Sequence, residues 1–137
     1  MGKASRDKGK RGEREVAKLW DEAMPGSVVR RGGQDQAHTG DKSGDVIAPG
    51  WRIEVKRYAR VTRGVLVNAL AQAENDARAN EIPVAVARGD RSAWVCAIRL
   101  HELVEVACET SGAVPGANPI VELPLGELLK IIRSGHD

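Results

Sequence analysis

The chain has 137 residues, 42% of them hydrophobic, a net charge of +2, and no Phe beside three Trp and one Tyr. That suits one domain over residues 1–137 with an aliphatic core, and leaves little room for a second domain. Apolar runs reach about five residues, far from the roughly 20 that a membrane-spanning helix needs. The basic start has no apolar segment behind it, so a secretory signal is not expected and the expected location is cytoplasmic.

Residues 1–68 hold 15 Lys+Arg against 9 Asp+Glu, a balance of +6, while residues 69–137 hold 6 against 10, a balance of −4. A basic half beside an acidic half fits a polyanion on one face, and fits a solvated basic tail equally well. Cys96 and Cys108 have no Cys or His at zinc spacing and read as small buried hydrophobes. His38, His101 and His136 show neither metal spacing nor a nucleophile partner.

In chain order, residues 1–8 are polar and basic without periodicity, and are expected to form a flexible arm. Val16, Leu19, Trp20 and Ala23 recur at helical spacing and predict a helix over 9–23, ended by Pro25-Gly26. A short strand at 27–30 precedes a loop over 31–44 rich in Gly, Asp, Gln, Thr and Ser. Strands follow at 45–48 and 52–58. Leu66, Leu70, Ala73 and Ala77 predict a second helix over 64–80. Residues 83–87 and 93–98 read as paired strands joined across Gly89-Asp90. The pattern ends with helices at 100–108 and 125–133, and a short strand at 120–123. The order gives an α/β domain, a small mixed β-sheet flanked by helices.

Chemistry concentrates in Ser43-Gly44-Asp45-Val46-Ile47-Ala48-Pro49-Gly50-Trp51-Arg52-Ile53-Glu54-Val55-Lys56. Strand alternation puts Ile53 and Val55 on one face, with Glu54 and Lys56 together on the other. Pro49-Gly50 supplies a turn, and an even-length connection centred there pairs position i with 99 − i. Asp45 then faces Glu54, at the roughly 4.5–5.5 Å between opposed Cβ atoms. Two such carboxylates repel unless a cation intervenes, and a hard oxygen site favours Mg²⁺, with Mn²⁺ as substitute. Such a cation acidifies water and offsets charge on a phosphorane. Lys56 can orient the water or stabilise the developing charge. Exposed hairpins often alternate charges, however, and Glu-x-Lys alone carries little. A further acid, Glu13, lies three and seven residues before Val16 and Trp20, on or beside the apolar stripe. It reads as a metal ligand, or as an acid favoured by the helix dipole in a first turn.

Lys8-Gly9-Lys10-Arg11-Gly12-Glu13-Arg14-Glu15, followed by Asp45 and Glu54-Val55-Lys56, resembles the archaeal-type (Hjc-like) Holliday junction resolvases. These belong to the PD-(D/E)xK nuclease superfamily, which has phage-encoded relatives. The resemblance spans roughly residues 8–105. It implies a restriction-endonuclease-like core, metal ligation by Glu13, Asp45 and Glu54, and Lys56 as the catalytic lysine. It also implies a homodimer that binds four-way junctions and cuts two strands, acting in the host cytoplasm if the chain is viral. Gly44 stands where the superfamily name has Pro. Arg30-Arg31-Gly32-Gly33-Gln34 lacks the serine that the family often carries there, and Ser43 and Thr39 are the available substitutes.

Lys8, Lys10, Arg11, Arg14, Arg30, Arg31, Arg57, Arg60 and Arg63 are candidates to track phosphates, or to keep the surface soluble. Gln72, mid-helix after the catalytic strand, either points at the site or is an ordinary exposed glutamine. His38 lies in the loop that could contact a phosphate. Trp94 and Val95 read as core or dimer contact. The same chemistry also suits a nuclease of ordinary duplex, and the fold suits a DNA-binding module without catalysis.

Overall fold

The computed structural model describes residues 3–25, 30–31, 44–108 and 118–135. Ten elements follow in the order α1 (Lys3–Ala23), β1 (Arg30–Arg31), β2 (Gly44–Ala48), β3 (Trp51–Arg57), α2 (Arg63–Asp76), β4 (Ile82–Arg88), β5 (Val95–Arg99), α3 (Leu100–Cys108), β6 (Ile120–Pro124) and α4 (Leu125–Ser134). The strands form one six-stranded sheet in sequence order, β1 to β6. Every neighbouring pair is antiparallel except β3 and β4, which run parallel and are joined through α2. A parallel pair cannot be closed by a hairpin, so the helix is the crossover.

The β2–β3 hairpin has the register expected from its turn. Val46 pairs with Ile53, Asp45 with Glu54 and Gly44 with Val55. Gly50 has φ 83°, the left-handed value that the third residue of a type II turn requires, after a proline at the second. The Gly50 carbonyl also accepts from the Ile82 N–H at 2.8 Å, seating the start of β4 beside the turn.

Two apolar layers cover the sheet. On one face, Val16 and Trp20 of α1 and Leu128 and Ile132 of α4 pack on Val46, Ile53, Val55, Val84 and Val86. The Trp20 and Trp51 rings meet edge to face, their centroids 5.2 Å apart. On the other face, Leu66, Ala69 and Leu70 of α2 lie on Ala85, Ala87 and Ala97. Trp94 joins the first cluster as a core residue, its Nε1–H donating to Glu15 Oε2 at 2.9 Å.

Three expectations change. Helix α1 begins at Lys3, so residues 3–8 are its opening turns rather than an irregular arm. Lys8 pairs with Asp90 at 2.6 Å and Glu15 with Arg88 at 3.0 Å, anchoring the helix to the β4–β5 turn through contacts remote in sequence. Helix α2 stops at Asp76, because Ala77 is already extended and the chain must turn back towards β4; Glu81 Oε1 accepts from the Arg78 N–H within that turn. Cys96 is buried, and burial pushes its thiol up to about 12, but Cys108 is exposed. Cys108 ends α3, a peripheral helix with no fully buried residue, so its position gives it no core to enter. The expected strand at 27–29 lies outside the described residues, as do His38, Thr39, Ser43 and His136.

Candidate active site

The turn at Pro49-Gly50 makes Asp45 and Glu54 direct cross-strand partners. Two residues on, Lys56 follows on the same face, because side chains alternate along a strand. Glu54 is 2% exposed and Lys56 7% exposed, and Lys56 Nζ lies 3.6 Å from Glu54 Oε1. Their neighbours in register on β4 are Ala85 and Ala87, both of the α2-side cluster. Charges withdrawn from water cost several kcal/mol each, so a carboxylate and an ammonium held here need a stronger reason than surface alternation. That weighs against an exposed charged hairpin. The donor set, two carboxylates across one ladder step, suits a hard divalent cation.

Glu13 is 7% exposed on α1. Beside it, a Cβ at Gly12 would meet Trp94 Cη2 at 3.3 Å and Arg57 Cβ at 3.4 Å. Glycine therefore lets α1 approach the end of β3 that carries Lys56. The helix itself belongs to the layer on the opposite face from Glu54 and Lys56. Thus Glu54 and Lys56 are in contact, Asp45 is set opposite Glu54 by register, and Glu13 is buried on α1, next to the glycine that brings that helix close to the end of β3. Gln72 is half-buried on α2, the helix that covers the Glu54 and Lys56 face.

The basic residues divide into two groups. Lys8 and Arg57 both bond Asp90, at 2.6 and 3.0 Å, and Arg63 pairs with Glu122. Lys10, Arg11, Arg14 and Arg60 are exposed and make no ion pair among the described residues. Arg30 and Arg31 are placed by backbone alone, opposite Ile47 and Val46.

The family described as "Phage putative PDDEXK endonuclease" matches residues 4–118. The chain belongs to that family. The match takes in α1, the β2–β3 hairpin and the α2 crossover, so it covers every residue assigned to the site. It makes the chain a nuclease of the PD-(D/E)xK type with the corresponding α/β core. No curated protein and no solved structure matches the chain significantly.

This PDDEXK endonuclease holds a second cluster that spacing had not flagged. One ligand atom each from His101, Glu102 and Glu105 all lie within 4.8 Å of one another, correcting the expectation that His101 stands apart from metal-ligating groups. Burial pushes the Glu102 carboxyl up, His101 opposes the rise and Glu105 adds to it. His101 and Glu105 are one helical turn apart on α3, an i, i+4 signal visible in the sequence once a helix is assigned there. The cluster lines a cavity of about 590 Å³ shared with Trp51 and Ile82, at the end of β3 and β4 away from Lys56. It is separate from the hairpin. Among the described residues, no helix is long and apolar enough to cross a membrane.

Proposed function

We propose that the chain is a Mg²⁺-dependent endodeoxyribonuclease that resolves four-way DNA junctions as a homodimer, one active site per strand, with Mn²⁺ able to substitute. The observation that carries the chemistry is the hairpin: Asp45 in register with Glu54, and a buried Lys56 at 3.6 Å from that glutamate. Support for the junction comes from the likeness of the Lys8–Glu15 stretch and the acid–acid–lysine set to junction resolvases.

In this reading Asp45 and Glu54 hold the cation, with Glu13 as a third carboxylate. A divalent cation there acidifies water and neutralises charge on the phosphate. Lys56, fixed by its glutamate neighbour, presents an ammonium to the attacking water and the phosphoryl oxygens. Its charge counts for more because the site excludes bulk solvent. Water adds to phosphorus, the bond to the leaving oxygen breaks, and a phosphomonoester and a free hydroxyl result. Lys10, Arg11, Arg14 and Arg60 carry phosphates beyond the cut, since junctions are recognised by backbone shape more than by base identity.

The test is cleavage of an immobile four-way junction beside a linear duplex of matched sequence, with Mg²⁺ and with EDTA. Paired nicks in the junction alone, lost in EDTA, are expected. Cutting of both substrates would leave the nuclease and remove the junction preference. Tight binding without cutting in either Mg²⁺ or Mn²⁺ would remove the catalytic reading.

A further inference from the structure

A cavity of about 630 Å³ opens just beyond the catalytic strand, lined from Ala59 onwards. Its position follows from register. Lys56 pairs with Ala87, and Ala87 pairs with Val95, which lines the cavity. Two strand spacings of about 4.8 Å place Val95 about 10 Å from Lys56 across the sheet. Val61, Leu66 and Val95 belong to the α2-side cluster and Leu123 to the other, so the cavity sits at the end of the sheet with its α2 side on the face that carries Glu54 and Lys56.

The lining has two chemistries. Its buried and half-buried part is apolar: Val61, Leu66, Val95 and Leu123. Its exposed part is charged with both signs: Arg60 and Arg63, on either side of Thr62, whose hydroxyl caps α2 by accepting from the Val65 N–H at 3.3 Å, and the carboxylates Asp90 and Glu122, which are engaged by Lys8 and Arg57 and by Arg63. Arg63 is engaged by Glu122, whereas Arg60 has no ion pair among the described residues. A surface kept basic for solubility would account for Arg60 but not for the apolar hollow beneath it. A fully paired duplex would meet the arginine with a phosphate and leave the hollow empty, because its bases are held inside the stack. An unpaired nucleotide fits both. Its phosphate meets Arg60, and its base enters the apolar part or lies against a guanidinium plane. The volume falls within the roughly 300–1,000 Å³ of small-ligand pockets.

We propose that this cavity is a subsite for one unpaired nucleotide of the strand being cut, about 10 Å from Lys56, or roughly three nucleotide rises of about 3.4 Å. The inference rests on the chain being a DNA nuclease and deepens that reading. The substrate class it names is DNA with an unpaired nucleotide beside the cut, as at a branch point, a bulge or a single-stranded flank.

The experiment uses the full chain with Ca²⁺ in place of Mg²⁺, and compares a matched duplex with the same duplex carrying one extra 2-aminopurine nucleotide. Base stacking is worth about 1–3 kcal/mol per base, so binding about tenfold tighter to the bulged duplex is expected, with a change in 2-aminopurine fluorescence. Ala93 is exposed and lines the cavity, so Ala93→Leu fills the space without touching the core. It should bring the bulged duplex down to the affinity of the matched one and leave affinity for the matched duplex unchanged. Arg60→Ala should also shrink the preference. Equal affinity for both duplexes, or a preference that survives Ala93→Leu, would overturn the subsite and leave the nuclease reading intact. Failure to bind either DNA would also overturn the subsite, while the nuclease reading stands or falls by junction cleavage.

Discussion

Arg52 and Lys56 lie on the same face of β3, both buried and each within reach of a glutamate, yet their pairings differ in kind. The Nε–H and Nη2–H groups of Arg52 both donate to Glu81 Oε1, at 3.2 and 3.1 Å, across 29 residues of sequence. Lys56 meets Glu54 of its own strand at 3.6 Å. The first pair ties β3 to the segment entering β4. The second joins residues that strand geometry already makes neighbours, so that contact fastens nothing. Burying charges costs several kcal/mol, and of these two contacts it is Arg52–Glu81 that also ties separate segments together. Burial alone does not mark a structural ion pair. Arg52–Glu81 is explained by stability, whereas Glu54–Lys56 is better explained by what it faces.

Substitutions can break that contrast. The largest expected effect is on catalysis: Lys56→Ala and Asp45→Ala should each lower the single-turnover cutting rate by about 10²–10³-fold, with DNA affinity retained. Equal losses of binding and cutting would assign these residues to DNA holding instead. The next effect separates the two pairs by stability. Glu81→Ala leaves the Arg52 guanidinium without its fork and should destabilise by about 3 kcal/mol. Glu54→Gln should cost under about 1 kcal/mol or raise stability, as residues retained for function often do. Thermal unfolding of both variants reads this directly, and equal losses would erase the distinction.

A smaller effect sits where α1 meets the end of β3. Gly12→Ala gains about 1 kcal/mol of helix propensity. Its Cβ, however, would press on Trp94 at 3.3 Å and Arg57 at 3.4 Å. A close-packed tryptophan gives way poorly, so a net loss of about 1 kcal/mol is expected in denaturant unfolding. Stabilisation instead would mean that α1 is free to shift. The smallest effect concerns Asp90. Hydrogen bonds from Lys8 and Arg57 hold its carboxyl below 3.8. Whatever it contributes is complete above that pH, and is lost only as pH falls through the lowered folded-state value. Asp90→Asn should therefore narrow its stability difference from wild type below about pH 4 and leave the difference constant from pH 5 to 7. A difference that changes near neutrality would place the titration on another group.

Much of the site was legible because it is local. The hairpin register depends on a two-residue turn and on strand alternation, so Asp45 opposite Glu54 and Lys56 beside it follow from fourteen consecutive residues. The stripe of Val16 and Trp20 was equally readable from spacing, whereas the sequence allowed Trp94 as core or dimer contact and it is core. Contacts between distant segments were not. Lys8 and Arg57 looked like free phosphate contacts until the β4–β5 turn brought Asp90 against both. The opening turns of α1 meet that same turn through Lys8, and Arg88 and Trp94 hold the helix further along at Glu15, contacts that no local periodicity announces.

The amino-acid sequence by itself determined the element order, the α/β class and the acid–acid–lysine hairpin, because each rests on periodicity or on a turn a few residues long. Which face of the sheet each helix covers, that α1 with Glu13 packs on the face opposite Glu54, and that Val95 shares a row with Lys56 emerge only in three dimensions. Those relations depend on a parallel crossover through α2 and on strand neighbours 31 residues apart. Such pairings are chosen by the burial of whole faces, which no short window of sequence contains.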